Sequence, residues 1–360
     1  MGPYIQTNKL IFLKKYVYFL FTYLCTINLF SQSLDLNTFT NDINENELKN
    51  LIYVYSSDFF KGRETGKLGQ KRAVKFISEY YESLNIKEAD GTENYFQKME
   101  LKISGNIVQT ENVVAVIEGS EKPDEYIIIS SHLDHEGEKN GVIYNGADDN
   151  GSGTIGVLKI AEAFQNAVLS GYRPKRSIVF LHLTGEEKGL LGSKYYTDNP
   201  LYPLENTMVN LNIDMIGRID PKHVNNEERY IYLIGTNLLS SELHEISEST
   251  NKNTTKLYLD YKYNYIDQSE CIYYRSDHFN FVKNNIPAIF YFNGVHEDYH
   301  KPTDTADKIE YELLKDRIKL VFYTAWELAN RNKSIEVDKN VDYSELVNCR
   351  RYLKLYNLWG

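Results

Sequence analysis

Apolar residues gather in six short stretches that read as strands: Asn112–Ile117, Tyr126–Ser131, Ser177–Leu183, Met208–Ile216, Arg229–Ile234 and Ala288–Phe292. Ile127–Ile129 and Ile178–Leu181 are continuously apolar rather than alternating, which is the pattern of strands covered on both faces. Between the strands, apolar positions recur at helical spacing over Lys71–Leu84, Ser152–Asn166, Ser241–Thr250, His278–Asn284 and Tyr311–Arg331. Strands alternating with helices predict an α/β fold: a mixed, mostly parallel central sheet with helices on both faces. Residues 33–68 read as an N-terminal helical cap and 69–331 as a single core. Residues 332–360 read as a C-terminal packing segment, in which Leu346, Cys349, Leu353 and Tyr356 fall at helical spacing. No repeat, low-complexity tract or Pro/Gly-rich linker divides the core.

The first residues break the pattern. Lys9, Lys14 and Lys15 precede an uncharged run of about 15 residues from Tyr16 to Phe30, shorter than the roughly 20 that span a bilayer. That is the layout of a secretory signal over residues 1–32, and it predicts a secreted or periplasmic protein with no membrane span left after cleavage. The remainder is globular in composition, with 42% apolar and 25% charged residues in a chain of 360. Loss of the leader removes three lysines and no acid, moving the net charge from −10 to −13. Such an acid excess argues against a nucleic-acid partner, which needs a basic stripe to displace counterions. Of three cysteines, Cys271 and Cys349 outlast the leader. Export permits a disulfide between them, and two separate thiols fit the sequence equally well.

Metal-binding side chains stand where the strands end, the place where open α/β sheets put their sites. In Ser131-His132-Leu133-Asp134-His135, an extended backbone puts His132 and Asp134 on one side, so the carboxylate can orient the imidazole. The turn Asn145-Gly-Ala-Asp148-Asp149-Asn150-Gly-Ser-Gly153 can press an acid against a cluster of cations, although such a composition also suits any helix start. After the third strand, Glu186 and Glu187 point in different directions, one to bind metal and the other to act as a base. Asp214 lies inside an apolar strand, where an unpaired carboxylate is costly and a cation partner is favoured. His300 sits in a turn before the last long helix. Five ligands, His132, Asp148, Glu187, Asp214 and His300, give three bonds to each of two ions if one acid bridges, leaving each ion an open position as catalytic zinc requires. Imidazole and carboxylate without thiolate suit zinc, and admit cobalt or manganese.

In order, HLD, GADDNGSG, GEE, NIDMIG, SDH and HKPTDT resemble the M28 family of zinc aminopeptidases, the secreted bacterial leucyl-type group. The resemblance runs from about Ser57 to Glu310 and includes Phe60-Lys61-Gly62-Arg63-Glu64-Thr65-Gly66. It implies a di-zinc exopeptidase acting on peptides with a free N-terminus. His132 and Asp214 would hold one Zn2+, Glu187 and His300 the other, and Asp148 would bridge. Asp134 would orient His132, Asp149 would support the ligands without bonding metal, and Glu186 would be the general base. The same resemblance implies a cis peptide between Asp148 and Asp149, and an oxyanion-stabilising role for Tyr273. Family members can flank that tyrosine with a disulfide; here Cys271 is present but Arg275 takes the partner's place, so the loop must be held differently. Two rival readings are a single-zinc glutaminyl cyclase and a non-catalytic binding domain on the same scaffold. His182 reads as a hydrogen-bonded core residue, His278 as a support for the site, and His135, His223, His244 and His296 as surface groups or supports. The 30 tyrosines read as packing and surface residues.

Overall fold

In a computed structural model of the chain, residues 35–224, 229–343 and 346–355 are described, so the expected leader and Tyr356 lie outside them. The chain divides into two units, Met1–Thr38 and Phe39–Gly360, and every element below belongs to the second. Its strands are β1 (Lys87–Glu88), β2 (Phe96–Ile103), β3 (Asn106–Ile117), β4 (Lys122–His132), β5 (Gly137–Lys139), β6 (Val142–Tyr144), β7 (Arg176–Leu183), β8 (Thr207–Ile213), β9 (Tyr230–Ile234), β10 (Tyr258–Asp260) and β11 (Ala288–Phe292). The helices are α1 (Glu45–Tyr55), α2 (Leu68–Ser83), α3 (Gly153–Leu169), α4 (Leu191–Asp198), α5 (Ser241–Asn253), α6 (His278–Lys283), α7 (Tyr311–Asn330) and α8 (Arg350–Leu355).

The main sheet runs β1-β3-β7-β4-β8-β11-β9-β10, with β2 also paired to β3. Its centre, β7-β4-β8-β11, is parallel, and antiparallel pairings of β3 to β7 and of β9 to β11 flank it. Alternate residues of β7 show why the central strands are apolar throughout. Phe180 meets Phe164 of α3 with ring centroids 6.2 Å apart, and Phe164 meets Phe322 of α7 at 5.0 Å. Val179, Leu181 and Leu183 pack instead with Tyr196 of α4 and Phe281 of α6. Helices thus cover both faces, and each strand residue is buried whichever way it points.

Local signals set the helix ends. The Asn44 side chain accepts a hydrogen bond from the Glu47 amide at 3.1 Å, and Glu45 and Glu47 place negative charge in the first turn of α1. Three readings of the sequence change. The strand expected over Met208–Ile216 stops at Ile213, because the chain turns at Met215, where φ is 56°. β2 was not foreseen: its inward residues Gln97, Met99 and Leu101 alternate with exposed Lys98, Glu100 and Lys102, an edge-strand pattern rather than an apolar run. Cys271 and Cys349 do pair, with Cα atoms 5.5 Å apart, and tie the C-terminal segment to the loop before α6. Leu346 and Leu353 are buried beside that link.

Candidate metal centre

The C-terminal ends of the four parallel strands converge. His132 is the last residue of β4, Asp214 follows β8, Glu186 and Glu187 follow β7, and His300 stands in the turn after β11. His132 Nε2 lies 3.3 Å from Asp149 Oδ1 and 3.3 Å from Asp214 Oδ1. On the other side of the same carboxylate, His300 Nε2 lies 3.0 Å from Asp149 Oδ2 and 3.2 Å from Glu187 Oε2. One acid therefore faces two clusters of imidazole and carboxylate.

That acid is Asp149, not Asp148. The Asp148 carboxylate turns away, accepting from the Gly217 amide at 2.6 Å and from Ser152 Oγ at 3.0 Å, with His296 Nε2 at 3.1 Å. The backbone explains the choice. Asp304 accepts from the amides of both Asp148 and Asp149, at 3.0 and 3.1 Å, which pins the turn with Asp149 pointing to the centre. The cis peptide is likewise one residue later than expected, between Asp149 and Asn150. From the other side, Arg63, fully buried, donates through Nε to the Leu133 carbonyl at 3.1 Å, through Nη1 to Asn145 at 2.6 Å and through Nη2 to Gly146 at 2.8 Å. A guanidinium's fork of donors suits three carbonyls that no single ammonium could reach together.

Asp134 behaves differently from the expectation too. His132 Nδ1 donates to the Asp134 carbonyl at 3.0 Å, while the Asp134 carboxylate stands 3.9 Å off. That carboxylate accepts instead from Thr65 Oγ1 at 2.6 Å and from the Glu186 amide at 3.2 Å, so the carboxylate fixes Glu186 while the carbonyl fixes His132. Burial, reinforced by the Glu187 and Asp214 carboxylates, pushes the Glu186 carboxyl well above the usual range, against the pull of His132. His135, read from the sequence as a support or surface group, is buried in the cluster with Nδ1 2.9 Å from Glu187 Oε1. The repeated histidine in HLDH was its signal.

A cleft opens over these groups. His132, Asp149, Glu186, Asp214 and His300 form its polar part; Ile272, Phe290, Phe292 and Val295 form apolar wall. Tyr273 is not in that lining. It is fully buried, its ring 5.0 Å from that of Tyr274 and 5.5 Å from that of His278, because the short turn Ile272–Tyr274 carries it into the core behind the wall. Tyr299 and Arg275, which the sequence did not single out as site residues, line the cleft instead. Tyr299 stacks on His300 with ring centroids 3.9 Å apart, and its hydroxyl accepts from Arg275 Nη2 at 3.3 Å. Burial, then the Asp149 carboxylate, raises the Tyr299 hydroxyl well above its usual range, so it keeps its proton.

The donor set fits divalent cations. Donor atoms of His132, Asp149 and Asp214, and those of His135, Asp149 and Glu187, lie within 4.8 Å of one another. So many carboxylates in one buried volume repel unless cations join them, and imidazole with carboxylate and no thiolate suits zinc.

Known proteins resemble this chain in sequence and fold. The chain is 29% identical over 228 residues to a probable leucine aminopeptidase of Arthroderma otae, covering 61% of this chain and 58% of that one; it thus spans little more than half of that relative's length. The crystal structure of LapB from Legionella pneumophila superposes with a TM-score of 0.65 at 22% identity, over 83% of this chain and 76% of the other. A glutaminyl cyclase of Porphyromonas gingivalis has the same fold, with a TM-score of 0.61 at 16% identity over 79% of this chain and 98% of its own, so the fold by itself does not select a reaction. The family description "Peptidase family M28" matches residues 112–325, a span holding His132, Asp149, Glu186, Glu187, Asp214 and His300, and the chain belongs to that family.

Proposed function

We propose that the chain is a di-zinc exopeptidase that removes residues from the free N-terminus of peptides. The observation that carries this reading is the Asp149 carboxylate, whose two oxygens each face a separate group of imidazole and carboxylate. His132, Asp149 and Asp214 would hold one ion, and Asp149, Glu187 and His300 the other. When bound, the ions would polarise the scissile carbonyl and ready a water for attack.

The chain's own residues do the rest. Glu186 takes the water's proton and returns it to the leaving amine, a role worth about 10²–10⁴ in rate. Its place is set by the bond from its amide to Asp134. Tyr299, its proton retained and its oxygen engaged by Arg275, is left to donate to the oxygen on which charge develops. The carboxylates at the cleft floor receive the substrate's α-ammonium, and the apolar wall of Ile272, Phe290 and Phe292 receives its first side chain. The Cys271–Cys349 disulfide supports export to an oxidising compartment, in keeping with a secretory leader over residues 1–32.

The competing glutaminyl cyclase reading needs one ion and leaves the second cluster without a purpose. Metal analysis of the purified zinc-loaded chain, together with amino-acid release from unblocked and N-acetylated peptides, separates the two. Two zinc per chain and release from unblocked peptides alone are expected. One zinc per chain, or no release from any unblocked peptide, would overturn the proposal.

A further inference from the structure

We propose that Arg275 binds a carboxylate of the substrate, and that this enzyme is therefore selective for peptides presenting one in the cleft. The inference rests on the exopeptidase reading above and deepens it. Arg275 lines the cleft beside Glu186 and the metal-binding groups. Among the described residues no carboxylate lies within ion-pair distance of it, whereas Arg63 is taken up by carbonyls, Arg176 pairs with Glu125 and Arg218 with Asp298. Its hydrogen bond runs to a neutral group, the Tyr299 hydroxyl at 3.3 Å, with the guanidinium carbon 5.8 Å from the centre of that ring. The rest of its wall is Ile272, Val295, Phe290 and Phe292. This half-buried cation has lost part of its hydration and feels the Glu186 carboxylate only at longer range, with no carboxylate close enough to bond it; a ligand carboxylate supplies that bond through a forked, two-bond contact.

The local sequence explains how a charge comes to be there. Cys271 bonds to Cys349 rather than to a cysteine four residues on, so position 275 is free to carry a long side chain. The turn is nonetheless firm: the disulfide anchors its start, and the Arg275 amide closes it on the Ile272 carbonyl at 3.0 Å. Arg275 is thus presented from a fixed loop, as a selectivity residue must be.

The carboxylate has two possible sources, the side chain of an acidic N-terminal residue or the C-terminus of a short peptide, and two substrate pairs distinguish them. α-Glutamyl and glutaminyl p-nitroanilides differ only in side-chain charge; Leu-Gly and its C-terminal amide differ only in terminal charge. With zinc-loaded wild type, the anionic member of one pair is expected to lead in kcat/KM by about 10–100-fold, mostly through KM. The pair that shows this names the source. Arg275→Gln should bring the ratio close to one, and Arg275→Lys, which keeps the charge but loses the fork, should retain part of it. Should Arg275→Gln not fold, the wild-type ratios and Arg275→Lys decide the matter. Ratios within about two-fold in both pairs for wild type, or a ratio that Arg275→Gln leaves intact, overturn the assignment while hydrolysis of the neutral members upholds the exopeptidase reading. No hydrolysis of any of the four substrates overturns both.

Discussion

Replacing Arg63 by methionine keeps an unbranched side chain, ending where Nε stood, but deletes the donors to Leu133, Asn145 and Gly146, whose carbonyls it meets at 3.1, 2.6 and 2.8 Å. The Leu133 carbonyl keeps the Tyr55 hydroxyl at 3.0 Å and the Gly146 carbonyl keeps the Gly151 amide at 3.2 Å, so only the Asn145 carbonyl loses its donor outright, at about 1–3 kcal/mol, while the two weakened carbonyls lose about 0.5–1.5 kcal/mol each. The sum is about 2–6 kcal/mol, and water entering the vacated space, with the end of the guanidinium's own desolvation cost, brings the expected loss to about 3 kcal/mol. Against a total stability of about 5–15 kcal/mol that is a large fraction. Arg63→Lys, able to satisfy only some of the three, should lose about half as much. Urea unfolding in the presence of a chelator reads this term without the contribution of metal binding, provided the m-value is unchanged. Because the same carbonyls hold the turn that carries Asp149, zinc affinity should also fall by about 10–100-fold. A stability loss below about 1 kcal/mol for Arg63→Met would refute the view that this guanidinium holds the turn together.

Asp149→Asn should reduce bound zinc from two ions to at most one and abolish measurable amino-acid release, while Asp148→Asn should keep both ions and lose about 1–3 kcal/mol through its buried bonds; metal analysis and thermal unfolding of the two variants tell them apart. Replacing Cys271 and Cys349 by serine opens a link spanning 78 residues, which should cost about 4 kcal/mol and raise KM, because the loop bearing Ile272 and Arg275 loosens. If dithiothreitol shifts neither Tm nor KM, the link has no such role. Burial pushes the His182 imidazole down to about 3, with Tyr81 Oη 2.7 Å from its Nε2. Its stabilising effect is complete above the unfolded pKa of about 6.5 and drains away as pH falls towards 3, by up to about 1.4 kcal/mol per pH unit. His182→Gln should flatten that slope by about one proton in urea titrations across this range, and an unaltered slope would contradict the assignment.

The central strands were legible because burial on both faces leaves an unbroken apolar run, as in Ile127–Ile129. β2 was hidden for the converse reason, since its charged residues mark the exposed face of an edge strand. The ligands at strand ends could be found from their chemistry and position. The choice between Asp148 and Asp149 could not, because two adjacent identical side chains differ only in direction, and that is set by Asp304 and Arg63, remote in sequence. Tyr273 and Tyr299 were exchanged for a similar reason: a single short turn decides whether a tyrosine faces the cleft or the core. The sequence leaves His135 as a surface group or a support, and only the fold decides between them by burying it against Glu187.

The centre takes its side chains from the ends of β4, β7 and β8 and from the turn after β11, so that its first and last members, His132 and His300, are separated by most of the core. A chain in which only some of these strands have come together lacks at least one of them, so the centre exists only once the core has closed. On the proposed reading, activity would begin only with the completion of folding.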